Sequence, residues 1–346
     1  MIRIGYAPYS TDFTAPGDRW RFAAYAKDRG LRFELADPAR RYDLVVVTTA
    51  ADIVTWCRDR PPGDRLVFDI VDSYLAEPRG PKDVLRGVGK YLLGDLRRPV
   101  LSFRSALERI CASADAVVCA TAEQEAIIRP RCANVHVILD VQDSAVREVK
   151  RDYRIGDTVN LFWEGLPYNL SAFAGLRGVL EALARERPVA VHLMTSLSFG
   201  RLSGRVGRVD TSALAAKLIP RAYVYEWNEE MLSRVATGCD LALIPLDLAD
   251  AFARGKPENK LLLMWRMGMP TLVSRTPAYD RAMRAAGVAM TCETEAEWLR
   301  RLRETLGDER ARREAGERGR EFAVGVHSAE RSYARWDQVL GSIGLR

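Results

Sequence analysis

Pro257-Glu258-Asn259-Lys260-Leu261-Leu262-Leu263-Met264-Trp265-Arg266-Met267-Gly268-Met269-Pro270-Thr271-Leu272-Val273-Ser274 reads as a polar loop, a helix and a buried strand in succession. The polar triplet Glu258, Asn259 and Lys260 stands at the helix N-terminus, where backbone N–H groups and the helix dipole favour a bound anion. Asn259 adds a side-chain amide there and Lys260 a compact positive charge. Gly268 and Pro270 stop the helix before the strand begins. This is the local arrangement of a phosphate site, although an ordinary crossover helix carrying a solvated lysine has the same pattern.

Outward from this stretch, short apolar runs alternate with longer amphipathic ones, as in βα units that build a parallel sheet covered on both faces. In the first half strands are expected near 2–6, 32–34, 44–48, 66–71, 116–120 and 135–139, with helices near 18–30, 51–58, 82–93, 100–112 and 123–129. Residues 144–158 are charged, lack a sustained apolar period and are expected to be a linker. The rhythm then restarts, with strands near 159–163, 189–194, 222–225, 241–245, 270–273 and 288–291, and helices near 171–185, 229–237, 260–267, 279–286, 296–306 and 309–322. Two α/β halves imply two Rossmann-like domains facing across a cleft, with ligands at the strand C-termini.

The 257–274 stretch resembles the donor-site helix of GT-B glycosyltransferases, in particular the family 4 and family 1-like group. Their pattern runs Lys-Leu-x-Glu-x-Met-Ala-x-Gly-x-Pro-Val-Val-x-Ser. Lys260, Leu261, Gly268, Pro270 and Ser274 match it, and Thr271 and Leu272 stand at the two valines. The acidic position of the pattern falls on Leu263, which removes a carboxylate that many members direct at a sugar hydroxyl. Such proteins also end in a helix that crosses back onto the N-terminal domain, which 328–340 resembles through Ser328 as N-cap and Tyr333, Trp336 and Leu340 on one face. The resemblance implies an N-terminal acceptor domain over 1–150, a nucleotide-sugar donor domain over 151–325 and a crossing helix over 326–346.

The same resemblance implies the site. Glu164 and Gly165 end the first strand of the second half in a glycine turn beside the donor, although no basic residue follows between 164 and 176. Trp227 lies at the strand end that borders the nucleobase, where it would stack or simply pack. Asn169 or Ser171 is available to cap the helix after Gly165. Asp72, where the strand 66–71 leaves the sheet, is the candidate base, and a loop-capping role is the alternative. Gly17, Arg19 and Arg21 follow the first strand and are expected on the acceptor side, the arginines holding a phosphate or acidic sugar.

A chain of 346 residues has material for two cores, and its six cysteines and three histidines are scattered without CxxC or zinc-ligand spacing. No signal-peptide core or run of roughly 18 apolar residues is present, so a cytoplasmic protein is expected. The net charge of +6 fits a polyanionic partner. Much of the basic charge lies at 79–109 among Val84, Leu85, Val88, Leu92 and Leu101, as in a peripheral membrane contact or in a surface helix pair. No GxGxxG dinucleotide fingerprint occurs and no nucleic-acid module appears. The expectation is a metal-independent hexosyltransferase-like enzyme that requires no cofactor beyond its nucleotide diphosphate sugar donor. The acceptor is a sugar, a lipid-linked sugar or a small molecule. The alternatives are a sugar-nucleotide epimerase of the same architecture and a non-catalytic nucleotide-sugar binder.

Overall fold

The computed structural model describes residues 2–201 and 206–345. They form two compact units: residues up to Val141 with Gly255–Pro257 and the chain from Ala329 onward, and Gln142–Arg254 with Glu258–Ser328.

The first unit is built on six parallel strands, β1 (Ile4–Ala7), β2 (Phe33–Leu35), β3 (Leu44–Thr48), β4 (Arg65–Asp69), β5 (Ala116–Cys119) and β6 (Val135–Val137), in the order β2-β1-β3-β4-β5-β6. Strand β3 reads Leu-Val-Val-Val-Thr, a continuous apolar run up to its last residue, because both faces of the sheet are covered. Val45 and Val47 enter one apolar core while Leu44 and Val46 enter the other, as the two-residue period of a strand requires. The second core is closed by the terminal helix Ala329–Ser342, whose Trp336 lies 5.5 Å from the Phe22 ring and 5.8 Å from that of Tyr25. Asp337 of this helix accepts a hydrogen bond from the Tyr25 hydroxyl and pairs with Arg29.

One helix was expected over 18–30; two short ones occur, Pro16–Trp20 and Phe22–Asp28, broken at Arg21 with φ −124° and ψ −121°. The break turns the Arg21 side chain into the protein interior, where the partners described below hold it.

The second unit carries another six-stranded parallel sheet. Its strands are β7 (Val159–Glu164), β8 (Val189–Thr195), β11 (Ala222–Glu226), β12 (Leu241–Ile244), β13 (Thr271–Ser274) and β14 (Thr291–Cys292), in the order β11-β8-β7-β12-β13-β14. An antiparallel pair, β9 (Ser198–Arg201) and β10 (Val206–Asp210), precedes a helix at Thr211–Leu218. None of these last three elements is expected from the sequence pattern.

The quoted helix spans Asn259–Arg266 and is buried nearly all round. It ends as Gly268 requires: at φ 71° the Gly268 N–H bonds the Trp265 carbonyl and the Met269 N–H that of Met264, the paired bonds of a Schellman cap. The expected linker 144–158 is instead a strap around this end. Lys150 is buried, its N–H bonding the Met267 carbonyl and its ammonium the carbonyls of Thr237 and Cys239. Charge in the sequence concealed burial because backbone carbonyls satisfy it.

Helix Glu309–Val326 lies against the same helix through two glycines. A Cβ on Gly316 would strike the Gly268 carbonyl and one on Gly319 would lie 2.5 Å from the Trp265 ring. Gly316→Ala is therefore expected to lower stability by roughly 1–3 kcal/mol, the usual range for overpacking, read as a shift in urea midpoint. An unchanged midpoint would mean that the two helices part without cost.

Candidate functional site

In the second unit the sheet order reverses between β7 and β12, and open α/β sheets bind ligands outside the strand C-termini at such a switch point. Strand β7 ends there with Trp163 and Glu164. The Lys260 ammonium donates to the Glu164 carbonyl at 2.9 Å, lies 3.9 Å from the Glu164 carboxylate and stands 5.3 Å from the centroid of the Trp163 ring. A ring face and a carbonyl dipole thus fix one cation at the mouth of the switch point. Its side chain remains about one-third exposed.

Gly165 makes this approach possible, since a Cβ there would overlap the Lys260 ammonium and lie 2.8 Å from the Trp163 ring. Glycine is needed at this position for room, because its φ is not in the left-handed range. Ser274 closes the next strand ends together: its hydroxyl accepts from the Leu246 N–H and donates to the Leu246 carbonyl.

Glu258 and Asn259 are both buried at the start of the Lys260 helix. The Glu258 side chain makes no capping bond to that helix, and its carboxylate lies 3.8 Å from the Arg281 guanidinium. Tyr279 is buried nearby, its hydroxyl pushed to a higher pKa by burial and then by the charges of Glu258 and Glu164. Sequence reasoning did not find Trp163, Arg281 or Tyr279 as members of this group. Leu263, at the acidic position of the family pattern, is 1% exposed and belongs to the core.

Trp227 follows the end of β11, its N–H bonded to the Thr195 carbonyl. Two strand spacings separate β11 from β7, about 10 Å. The capping role expected of Asn169 or Ser171 is corrected: a 3-10 segment, Pro167–Leu176, intervenes, and the helix Arg177–Glu186 has no side-chain cap.

The first unit also has a switch point, between β1 and β3. After β1 the chain loops around Asp18, whose buried carboxylate accepts from the Tyr6 hydroxyl at 2.6 Å, the Tyr9 N–H at 2.9 Å and the Ser10 N–H at 2.8 Å. Phe13 adopts φ 57° within this loop, an unusual conformation for a bulky residue, and its ring stacks on Tyr6. Gly17 faces the Tyr9 ring, which a Cβ would overlap. Its lack of a side chain therefore serves packing within this loop.

Arg21 is likewise corrected. It is 1% exposed and cannot reach a ligand in solvent. Its guanidinium bonds both Asp69 oxygens, at 2.6–3.1 Å, together with the Ile138 carbonyl at 2.7 Å and Asp140 at 3.1 Å. Burial works against this charge, and the two carboxylates more than offset it. Burial also pushes the Asp140 carboxyl up to about 6, against the pull of Arg21. Arg19, two residues earlier, stays half-buried and near the surface. Asp72 is partly buried just beyond β4. Desolvation raises its pKa, and the charges of Lys256 and Arg86 oppose the rise.

These features define a chain of two Rossmann-like units, each with a polar group at its switch point, and this is the fold of GT-B glycosyltransferases. It is similar over 99% of its length to the whole of Alr3699/HepE from Anabaena, solved with UDP and glucose, at a TM-score of 0.63 and 13% identity. It matches sucrose-phosphate synthase from Thermosynechococcus elongatus at a TM-score of 0.59 and 13% identity, over 93% of this chain and 76% of that one. S. aureus TarM, solved with UDP, matches at a TM-score of 0.57 and 10% identity over 86% of this chain, which spans about half of TarM (55%). No family model and no curated protein matches the sequence. At these identities the likeness establishes the fold.

Proposed function

We propose that this chain transfers a sugar from a nucleotide diphosphate sugar to an acceptor hydroxyl. The observation that carries the reading is the Lys260 ammonium, anchored on Glu164 and Trp163 at the β7/β12 switch point and beside a helix N-terminus. A fixed cation and oriented N–H groups are suited to the charge that develops on a departing diphosphate. In this reading the bond from the anomeric carbon to the diphosphate oxygen breaks, a bond to the acceptor oxygen forms, and Asp72 takes the acceptor proton. Lys260 and the helix N-terminus hold the diphosphate without need of a metal. Glu258, Asn259 and the Glu164–Gly165 turn face the donor sugar and phosphates, Trp227 the base, and Arg19 the acceptor. HepE was solved with UDP-glucose, which makes uridine nucleotide sugars the first donors to test.

The raised pKa of Asp72 has a consequence for this mechanism. The base must be ionised, so kcat/KM is expected to fall on the acid side with an apparent pKa above the ordinary aspartate range. Asp72→Asn should lower kcat by about 10²–10⁴-fold, the contribution of a general base. Full activity in that variant removes Asp72 from the chemistry.

Leu263 favours a second reading, a binder without turnover, because the acidic position of the family pattern is filled by a core leucine. A panel of nucleotide sugars with and without acceptors separates the cases. Nucleotide diphosphate release that depends on acceptor supports transfer, conversion of donor alone supports an epimerase, and thermal stabilisation without turnover supports a binder.

A further inference from the structure

Helix Pro81–Leu92 is amphipathic in the reverse sense for a surface helix. Its buried residues are Asp83 and Gly87. Asp83 accepts from the Arg104 N–H at 2.7 Å, so it satisfies a donor at the start of helix Phe103–Ser113. Gly87 lies so close to the Val100 backbone that a Cβ would sit 2.6 Å from the Val100 oxygen. Lys90 and Arg86 turn toward the protein as well, over the rings of Phe103 and Tyr74.

The apolar residues point the other way. Val84, Leu85, Val88, Tyr91 and Leu92 fall within about 120° of one another at 100° per residue, a single stripe. Leu85 is 73% exposed, Leu92 72%, and Leu101, just before helix Phe103–Ser113, 78%. Ordinary core packing would have buried this stripe and left Asp83 in water. The fold does the opposite.

We propose that this stripe docks the chain on an anionic lipid bilayer surface. Charge complementarity selects the occupant: residues 79–109 carry eight arginines and lysines against three carboxylates. Among the cations, Lys82 has a side chain 73% exposed and Arg98 43%, and Arg97 is exposed. An apolar helix face flanked by cations is what an interface of acyl chains and negative headgroups takes up. A second copy of the same face would bring like charges together across a twofold contact, which is unfavourable. No helix among the described residues is long and apolar enough to cross a membrane, so the contact is peripheral.

The test is sedimentation of the full chain with vesicles of phosphatidylcholine, alone or mixed equally with phosphatidylglycerol. Binding is expected to the mixed vesicles, at least about 10-fold weaker to neutral ones, and weakened by salt. Leu85→Ser combined with Leu92→Ser should reduce binding by at least about 10-fold, with an unchanged unfolding midpoint because both side chains are largely exposed. Lys82→Gln with Arg97→Gln should lower binding to the anionic vesicles only. A wild-type chain that stays in the supernatant with anionic vesicles overturns the proposal, as does a serine variant that binds equally. A dimer in solution that the serine variant loses overturns it in favour of a second copy. This inference stands apart from sugar transfer: a chain that binds vesicles and turns over no nucleotide sugar keeps the one and loses the other.

Discussion

Lys260→Ala is expected to reduce acceptor-dependent nucleotide diphosphate release by about 10²–10³-fold, the loss seen when one preorganised charge-stabilising donor is removed. The ammonium is held by the Glu164 carbonyl and the Trp163 ring before any ligand arrives, so little reorganisation is required when charge develops. Its side chain is one-third exposed and outside the apolar core, so the variant should fold with an unfolding midpoint close to that of the parent. Gly165→Ala is the companion test, because the added methyl occupies the space of the ammonium and crowds Trp163. It should lower turnover while leaving Lys260 in the chain. Unchanged turnover in Lys260→Ala, with a donor that the parent uses, would remove the lysine from the reaction and with it the main support for the proposed function.

The second large effect concerns stability. Arg21→Met is expected to destabilise the first unit by about 3–5 kcal/mol, since it leaves the Asp69 and Asp140 carboxylates buried without their partner. The measurement is denaturant unfolding at neutral pH; a loss below about 1 kcal/mol would show that the carboxylates relax into water or bind protons at little cost. The cluster also carries a pH signature. Asp140 binds its proton more tightly in the folded state, with a pKa of about 6 against an ordinary value of 3.8. Its contribution to stability is therefore full below about 3.8 and is lost as pH rises through about 6. Asp140→Asn should abolish that decline. A decline of the same size in the variant would assign the titration elsewhere.

The sheet rhythm was legible because parallel strands buried on both faces must be continuous apolar runs. Leu44–Thr48 and Glu229–Thr237 were read at their observed bounds, since each has a local pattern that no distant contact alters. The segment 198–218 was not read. Its hairpin strands are short and rich in Ser, Gly and Arg, without the apolar alternation that marks a strand. The helix break at Arg21 and the burial of Lys150 escaped for another reason. A charged side chain signals a surface until its partners are known, and those partners lie 48 residues away for Asp69 and 87 for Thr237.

Legibility of the candidate site divides in the same way. Glu258, Asn259 and Lys260 stand together because one helix start places them together, which is a local property. Gly165 and Glu164 were found from a strand-end pattern, but their contact with Lys260 spans 96 residues and follows from the order of β7 and β12. Nothing in the pattern of Trp163, Tyr279 or Arg281 marks them as neighbours of that group.

By itself the sequence determined two α/β halves, the helix that begins at Asn259 and the stop at Gly268, because hydrogen bonds four residues apart and side chains alternating by two are set by adjacent residues. Tertiary structure alone decided which charges are interior, as with Arg21 and Lys150, and which apolar faces are exterior, as with Leu85 and Leu92. The reason is that burial depends on what a distant segment brings to the same place, and a parallel sheet joins strands that are far apart along the chain.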